Sequence, residues 1–301
     1  MKKHFFLLAV LSFFVLSACA TKKFYKEFAF PSVRNNVCKS LDGKVVLYAI
    51  FVDSKHTGPW TVYDMASTKD SICEAIAWIQ QKADEDSIPL NISLQIHESP
   101  DGKMPIKGDL RKKTLSATIF GQPWATAERD MFKWSDRLAA MAARSLPKDN
   151  SKSTRTKNNL RNKERLIARL RDIHQTDNVA LVYFVNNYYK DEASFAFSTS
   201  SDKNVEFAVV SYKNPSVIAH EFLHLFGAED MYVTPFDKKI ERKYHEKLSA
   251  MFPDEVMTNS LRNLDSMQIS DFTRYLIGWD KELSDNFQKP YMRKGWKAAR
   301  Y

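Results

Sequence analysis

The chain has 301 residues, 45 of them basic and 36 acidic, for a formal net charge of +9, with seven histidines, ten methionines and three cysteines. This length suits one large domain or two smaller ones, and no internal repeat is visible, which sets repeat architectures aside. The basic balance favours anionic membrane surfaces, cell-wall polymers or acidic proteins as neighbours; no nucleic-acid recognition motif accompanies it, so nucleic acid is not expected as a partner.

The chain opens with the short basic start Met1-Lys2-Lys3-His4, an apolar stretch over 5–16 and the sequence Leu16-Ser17-Ala18-Cys19. The apolar stretch is too short to span a membrane comfortably as a helix, so 1–18 reads as a cleaved signal peptide. Its end resembles the lipobox of bacterial lipoprotein precursors. That resemblance implies a diacylglycerol on Cys19 and a further acyl chain on its freed amine, which together supply the two or more chains that stable anchoring needs. An ordinary signal peptide or an uncleaved anchor is the alternative. Ala20 rather than Asp follows the cysteine, which by analogy with Gram-negative sorting places the protein at the outer membrane rather than the inner one. Loss of Lys2 and Lys3 would leave a mature charge of about +7. Cys38 and Cys73 then remain, an even pair in an oxidising compartment, and read as a disulfide closing a loop of about 35 residues. Two unrelated buried thiols are the other reading.

Residues 19–43 read as a linker. A strand is predicted at 44–52, a helix at 68–83, a strand at 90–97 and a weaker one at 114–120. Trp124, Ala127, Met131, Trp134, Leu138 and Met141 recur at helical spacing and read as a core-facing stripe. The polar, basic stretch 148–163 reads as a solvated loop, and Leu160, Ile167, Leu170 and Ile173 mark another amphipathic helix. Strands at 179–185, 194–198 and 205–212 lead into the next helix. This alternation predicts an α/β chain with a mixed, mostly parallel twisted sheet and one antiparallel edge strand.

The helix after these strands carries the chemistry. Asn214 offers an N-cap and Pro215 the first helical position, and the next residues are apolar on almost every side. Four residues apart on one helical face, His220 and His224 can direct a ring nitrogen at the same zinc ion (Zn2+), while Glu221 stands beside the metal, where a general base takes a proton from water. Gly227 can end the helix in a left-handed turn and bring Asp230 back as third ligand, leaving the fourth position open for water and substrate. Glu229 would serve instead if the turn were one residue shorter. Glu241 and Glu246 lie on a charged, helical segment, and His245 reads as a surface residue.

The string from His220 to Asp230, HExxHxxGxxD, resembles the zinc signature of metzincin metallopeptidases, in the variant with Asp as third ligand found in the snapalysin-like enzymes. The resemblance implies a zincin-like α+β fold with an upper subdomain over 44–230 that includes the active-site helix. A smaller, mainly irregular and helical C-terminal subdomain over 231–301 would carry a methionine turn. Met257, within Asp254-Glu255-Val256-Met257-Thr258-Asn259, is the matching methionine, although a core methionine fits the same segment. Many metzincins place a tyrosine two residues further on, where this chain has Asn259; Tyr232 is the substitute, or else a packing residue. The segment 265–301, a helix over 269–279 whose start Gln268-Ile269-Ser270-Asp271 holds and then a basic aromatic tail, would close the lower half of the cleft.

The resemblance further implies a zinc endopeptidase, lipid-anchored in the bacterial envelope, that pairs an extended polypeptide substrate with the edge strand at Phe195-Ala196-Phe197-Ser198. Hydrolysis of cell-wall peptide cross-links would keep the chemistry and change the substrate. The reading from another class is a noncatalytic zinc-binding lipoprotein that acts as a partner-binding scaffold. Retention of Glu221 argues against it, since a structural site needs no base. No protein partner is legible in the sequence.

Overall fold

The computed structural model describes residues 40–99, 101–109, 124–147, 161–186, 194–197, 205–211, 213–234, 237 and 239–283. Cys19, Cys38 and the strand expected at 114–120 lie outside the described residues.

Two strands set the architecture. In β1 (Gly43–Asp53) eight successive residues are buried, and in β4 (Asn178–Val185) all eight are. Strands without a wet face belong in the middle of a sheet covered on both sides. Accordingly, β1 runs parallel to β4 on one side and to β2 (Leu90–Ile96) on the other. The two-residue β3 (Ile106–Lys107), too short to leave a sequence signal, extends the sheet beside the end of β1. Beyond β4 lie β6 (Phe207–Val210), parallel to it, and β5 (Phe195–Phe197), antiparallel to β6, giving the order β2-β1-β4-β6-β5. The mixed, mostly parallel sheet with an antiparallel edge is therefore present.

Six α-helices are found among the described residues: α1 (Val62–Glu85), α2 (Trp124–Ala142), α3 (Asn162–His174), α4 (Pro215–Leu225), α5 (Lys239–Met251) and α6 (Asp271–Ile277). Helix α1 begins six residues before the expected start. Thr61 caps it, its hydroxyl accepting from Asp64 N at 3.0 Å while the Asp64 carboxylate accepts from Thr61 N, a capping box that starts the helix ahead of its buried stripe. Helices α1 and α4 pack together, as do α2 and α3. The β1-to-β2 and β2-to-β4 connections cross the sheet in opposite directions, so right-handed crossovers place the two pairs on opposite faces.

One core runs through the whole. Met231, Met257, Phe272 and Leu276 from the C-terminal part join the same buried cluster as β1 and β4. The chain enters this body at a clamp: Leu41 N donates to Ile277 O, Trp279 Nε1 to Leu41 O, and Asn178 Nδ2 to Ser40 O. Cys73 is an exposed free thiol on α1. Among the described residues no helix is long and apolar enough to cross a membrane.

The end of α4 turns the chain back toward its own last turn. Phe226 is the C-cap, Gly227 N donates to His224 O at 3.0 Å and Ala228 N to Leu223 O at 3.2 Å, the paired bonds of a Schellman turn. Gly227 has φ +100°, and a Cβ there would meet the Leu276 carbonyl oxygen at 3.2 Å. Gly227→Ala is expected to destabilise the fold by about 1–2 kcal/mol, the cost of a left-handed backbone with a side chain. Urea unfolding checks this, and an unchanged midpoint would show that the turn does not require glycine.

Candidate metal centre

Helix α4 is built to be buried. Asn214 Oδ1 accepts from Ser216 N at 3.0 Å, Pro215 occupies the first turn, and Ser216 through Leu223 are all buried, His220 and Glu221 among them. Ionisable side chains on such a helix are costly unless they engage one another or a ligand.

They do engage. The rings of His220 and His224 meet edge to face at 85°, with their Nε2 atoms 3.1 Å apart. Asp230 Oδ1 completes a triangle, 3.0 Å from His224 Nε2 and 3.2 Å from His220 Nε2. Donors held at 2.0–2.1 Å around a tetrahedral zinc lie about 3.3 Å apart, close to these separations. Among the described residues this is the group of three that could hold a metal ion; Glu229, Glu241, Glu246 and His245 do not belong to it.

Two backbone carbonyls orient the rings. His220 Nδ1 donates to Val256 O at 3.1 Å and His224 Nδ1 to Ala228 O at 2.7 Å. A carbonyl can only accept, so each Nδ1 carries a proton, and each ring, once neutral, offers its Nε2 lone pair to the common point. Val256 belongs to a tight turn in which Thr258 N and Asn259 N both donate to Glu255 O. Met257, fully buried in that turn, accepts from Met231 N through its carbonyl at 2.9 Å. The turn around Met257 thus braces both a histidine ring and the segment that carries Asp230.

Electrostatics separates the acids. Burial pushes the Glu221 carboxyl up to about 7, against the pull of His220 and His224 and with the repulsion of Asp230, and its Oε2 has no hydrogen-bond partner among the described residues. For Asp230, burial opposes ionisation, but the two imidazoles overcome it and hold the carboxyl far below the usual range. Burial also works against the His224 cation, yet Asp230, Glu221 and the Ala228 carbonyl outweigh it and push the ring up to about 9.

Several placements escaped the sequence. Tyr232 lies against His220, ring centroids 6.2 Å apart, half-exposed, with its phenol raised by burial and by the Asp230 and Glu221 charges. Only its offset of two from Asp230 hinted at this. Glu255 is buried, and its carboxylate accepts from Ser270 N and from Thr273 Oγ1, tying the methionine turn to the start of α6. His245 is not a surface residue: it is buried with Nδ1 2.7 Å from Asp237 Oδ2, because α5 packs that face inward. Asn259 caps its own turn by accepting from Leu261 N.

No protein-family model, curated protein or solved structure matches this chain.

His224 makes metal binding depend on pH. Below about 9 the metal-free ring holds the proton that a metal must displace. Metal uptake at neutral pH is therefore expected to release a proton, and affinity to rise with pH before levelling near that value. Calorimetry in buffers of different ionisation enthalpy reads the proton directly; uptake without proton release would contradict it.

Proposed function

We propose that this protein is a zinc-dependent peptide-bond hydrolase of metzincin type, anchored by lipid to the bacterial envelope. The observation that carries the reading is the buried Glu221, with one carboxylate oxygen unpartnered among the described residues, beside three donors whose spacing suits one ion. Two neutral nitrogens and one carboxylate are a donor set that suits zinc and leaves a fourth position free. A purely structural site would have neither the open position nor the adjacent base.

The zinc, when bound, supplies Lewis acidity that makes water more acidic and steadies negative charge on the carbonyl oxygen. Glu221 takes the proton of the attacking water and passes it to the leaving amine; burial has already raised its proton affinity toward neutrality, where such a transfer runs well in both directions. His220 and His224 stay aimed because their Nδ1 protons are held by Val256 and Ala228. Tyr232, partly exposed beside His220, would offer its hydroxyl to the carbonyl oxygen as charge develops. The edge strand β5 offers backbone groups to an extended polypeptide. The order of elements, a mostly parallel sheet with an antiparallel edge strand leading into the metal helix, supports a zincin-like fold. The Leu16-Ser17-Ala18-Cys19 sequence supports the anchor.

Glu221→Gln keeps shape but cannot accept a proton. It is expected to retain about one zinc per chain and lose on the order of a hundredfold or more in peptide hydrolysis, whereas His224→Ala loses the zinc itself. Metal analysis and turnover on an unbiased peptide library check both. A wild type that binds zinc and cleaves nothing would favour the scaffold reading.

Cys19→Ser is expected to abolish incorporation of labelled fatty acid and to release the protein from the membrane fraction. Continued labelling of that variant would remove the lipid anchor from the proposal.

A further inference from the structure

Asp230 is the one member of the metal group outside a helix, and its side chain is about a third exposed, so something other than burial must hold it. The next residue shows how. Met231 is fully buried, its N–H donates to Met257 O at 2.9 Å, and its carbonyl accepts from Ser249 Oγ of α5. Both polar groups of this residue are thus pinned from opposite sides, with Asp230 and Tyr232 flanking it at the metal group.

Helix α5 takes a second hold a few residues on. The Asp237 carboxylate accepts from Thr234 N at 3.0 Å, from Thr234 Oγ1, and from His245 Nδ1 of α5 at 2.7 Å. The pair is buried, with 9% exposure for the His245 side chain and 8% for Asp237. Burial disfavours the Asp237 charge, yet the Thr234 and His245 donors hold its carboxyl below the usual range. Removing one member of a buried hydrogen-bonded pair leaves the other unsatisfied, so the contact holds its two segments together. Here the pair joins α5 to Thr234, four residues after the third donor.

We propose that the Asp237–His245 pair, together with Ser249, is the positioning element of the metal centre. It clamps the segment after Asp230 onto α5, and so sets metal affinity and coordination geometry. This inference rests on the metal-hydrolase reading. His245 touches no metal and no substrate; it acts through Asp237 and the backbone of 231–234. Removal of a direct hydrogen-bond partner of a metal ligand weakens metal binding by roughly 10–100-fold, and loosening the segment after Asp230 is expected to act within that range.

The test compares His245→Leu, His245→Asn and Ser249→Ala with the wild type. It reads zinc affinity by competition with a chromophoric chelator, and the visible spectrum of the cobalt(II)-loaded protein. His245→Leu, which removes the donor, is expected to weaken zinc binding by roughly 10–100-fold and to change the cobalt spectrum as Asp230 loosens. His245→Asn, whose amide can still donate to Asp237, is expected to restore most of both. A general loss of stability would not give this rescue in the spectrum. If His245→Leu does not fold, Ser249→Ala reads the same quantity, with a loss of affinity of a few fold expected. Folded variants with wild-type affinity and wild-type cobalt spectra would overturn the clamp while leaving the metal reading intact. A wild type that takes up no zinc would overturn the metal reading and the clamp with it.

Discussion

Everything at the metal group depends on which nitrogen of each histidine carries the proton. An imidazole that donates from Nδ1 offers its lone pair at Nε2, and the Val256 and Ala228 carbonyls impose that choice on His220 and His224. The two carbonyls come from different sources. Ala228 returns to the ring through the turn that ends the same helix, while Val256 arrives from a turn 36 residues downstream. The orientation of the two rings is therefore fixed at once by local backbone geometry and by the packing of the C-terminal part.

That packing has its own supports. Glu255 links the methionine turn to α6, and α6 ends where Leu41 and Trp279 clasp the start of the folded body. The sheet contributes rigidity: β1 and β4 are each buried over eight successive residues, and α1 packs on α4 as α2 packs on α3.

The charges at the centre resist one another in isolation and cohere as a set. Burial alone would neutralise Glu221, Asp230 and His224 together, but the neighbouring imidazoles keep Asp230 ionised while Glu221 is raised toward neutrality. The two carboxyls thus titrate in opposite directions, because one faces the nitrogens directly and the other stands beside them.

The local chemistry was legible in the amino-acid sequence. Residues four apart share a helical face, Asn214-Pro215 starts a helix and Gly227 stops one, and unbroken apolar runs belong in central parallel strands; each rule acts within a few residues, and each held. The start of α1 was legible too, in Thr61 and Asp64, a capping signal that the apolar pattern alone passes over. Tertiary structure decided the rest. It brought Asp230 rather than Glu229 to the rings, set Tyr232 against His220, buried His245 behind Asp237, and supplied Val256 as the carbonyl that orients His220. Those choices depend on how α5 and the methionine turn pack against α4, and packing between segments distant in the chain leaves no period and no fixed spacing to read.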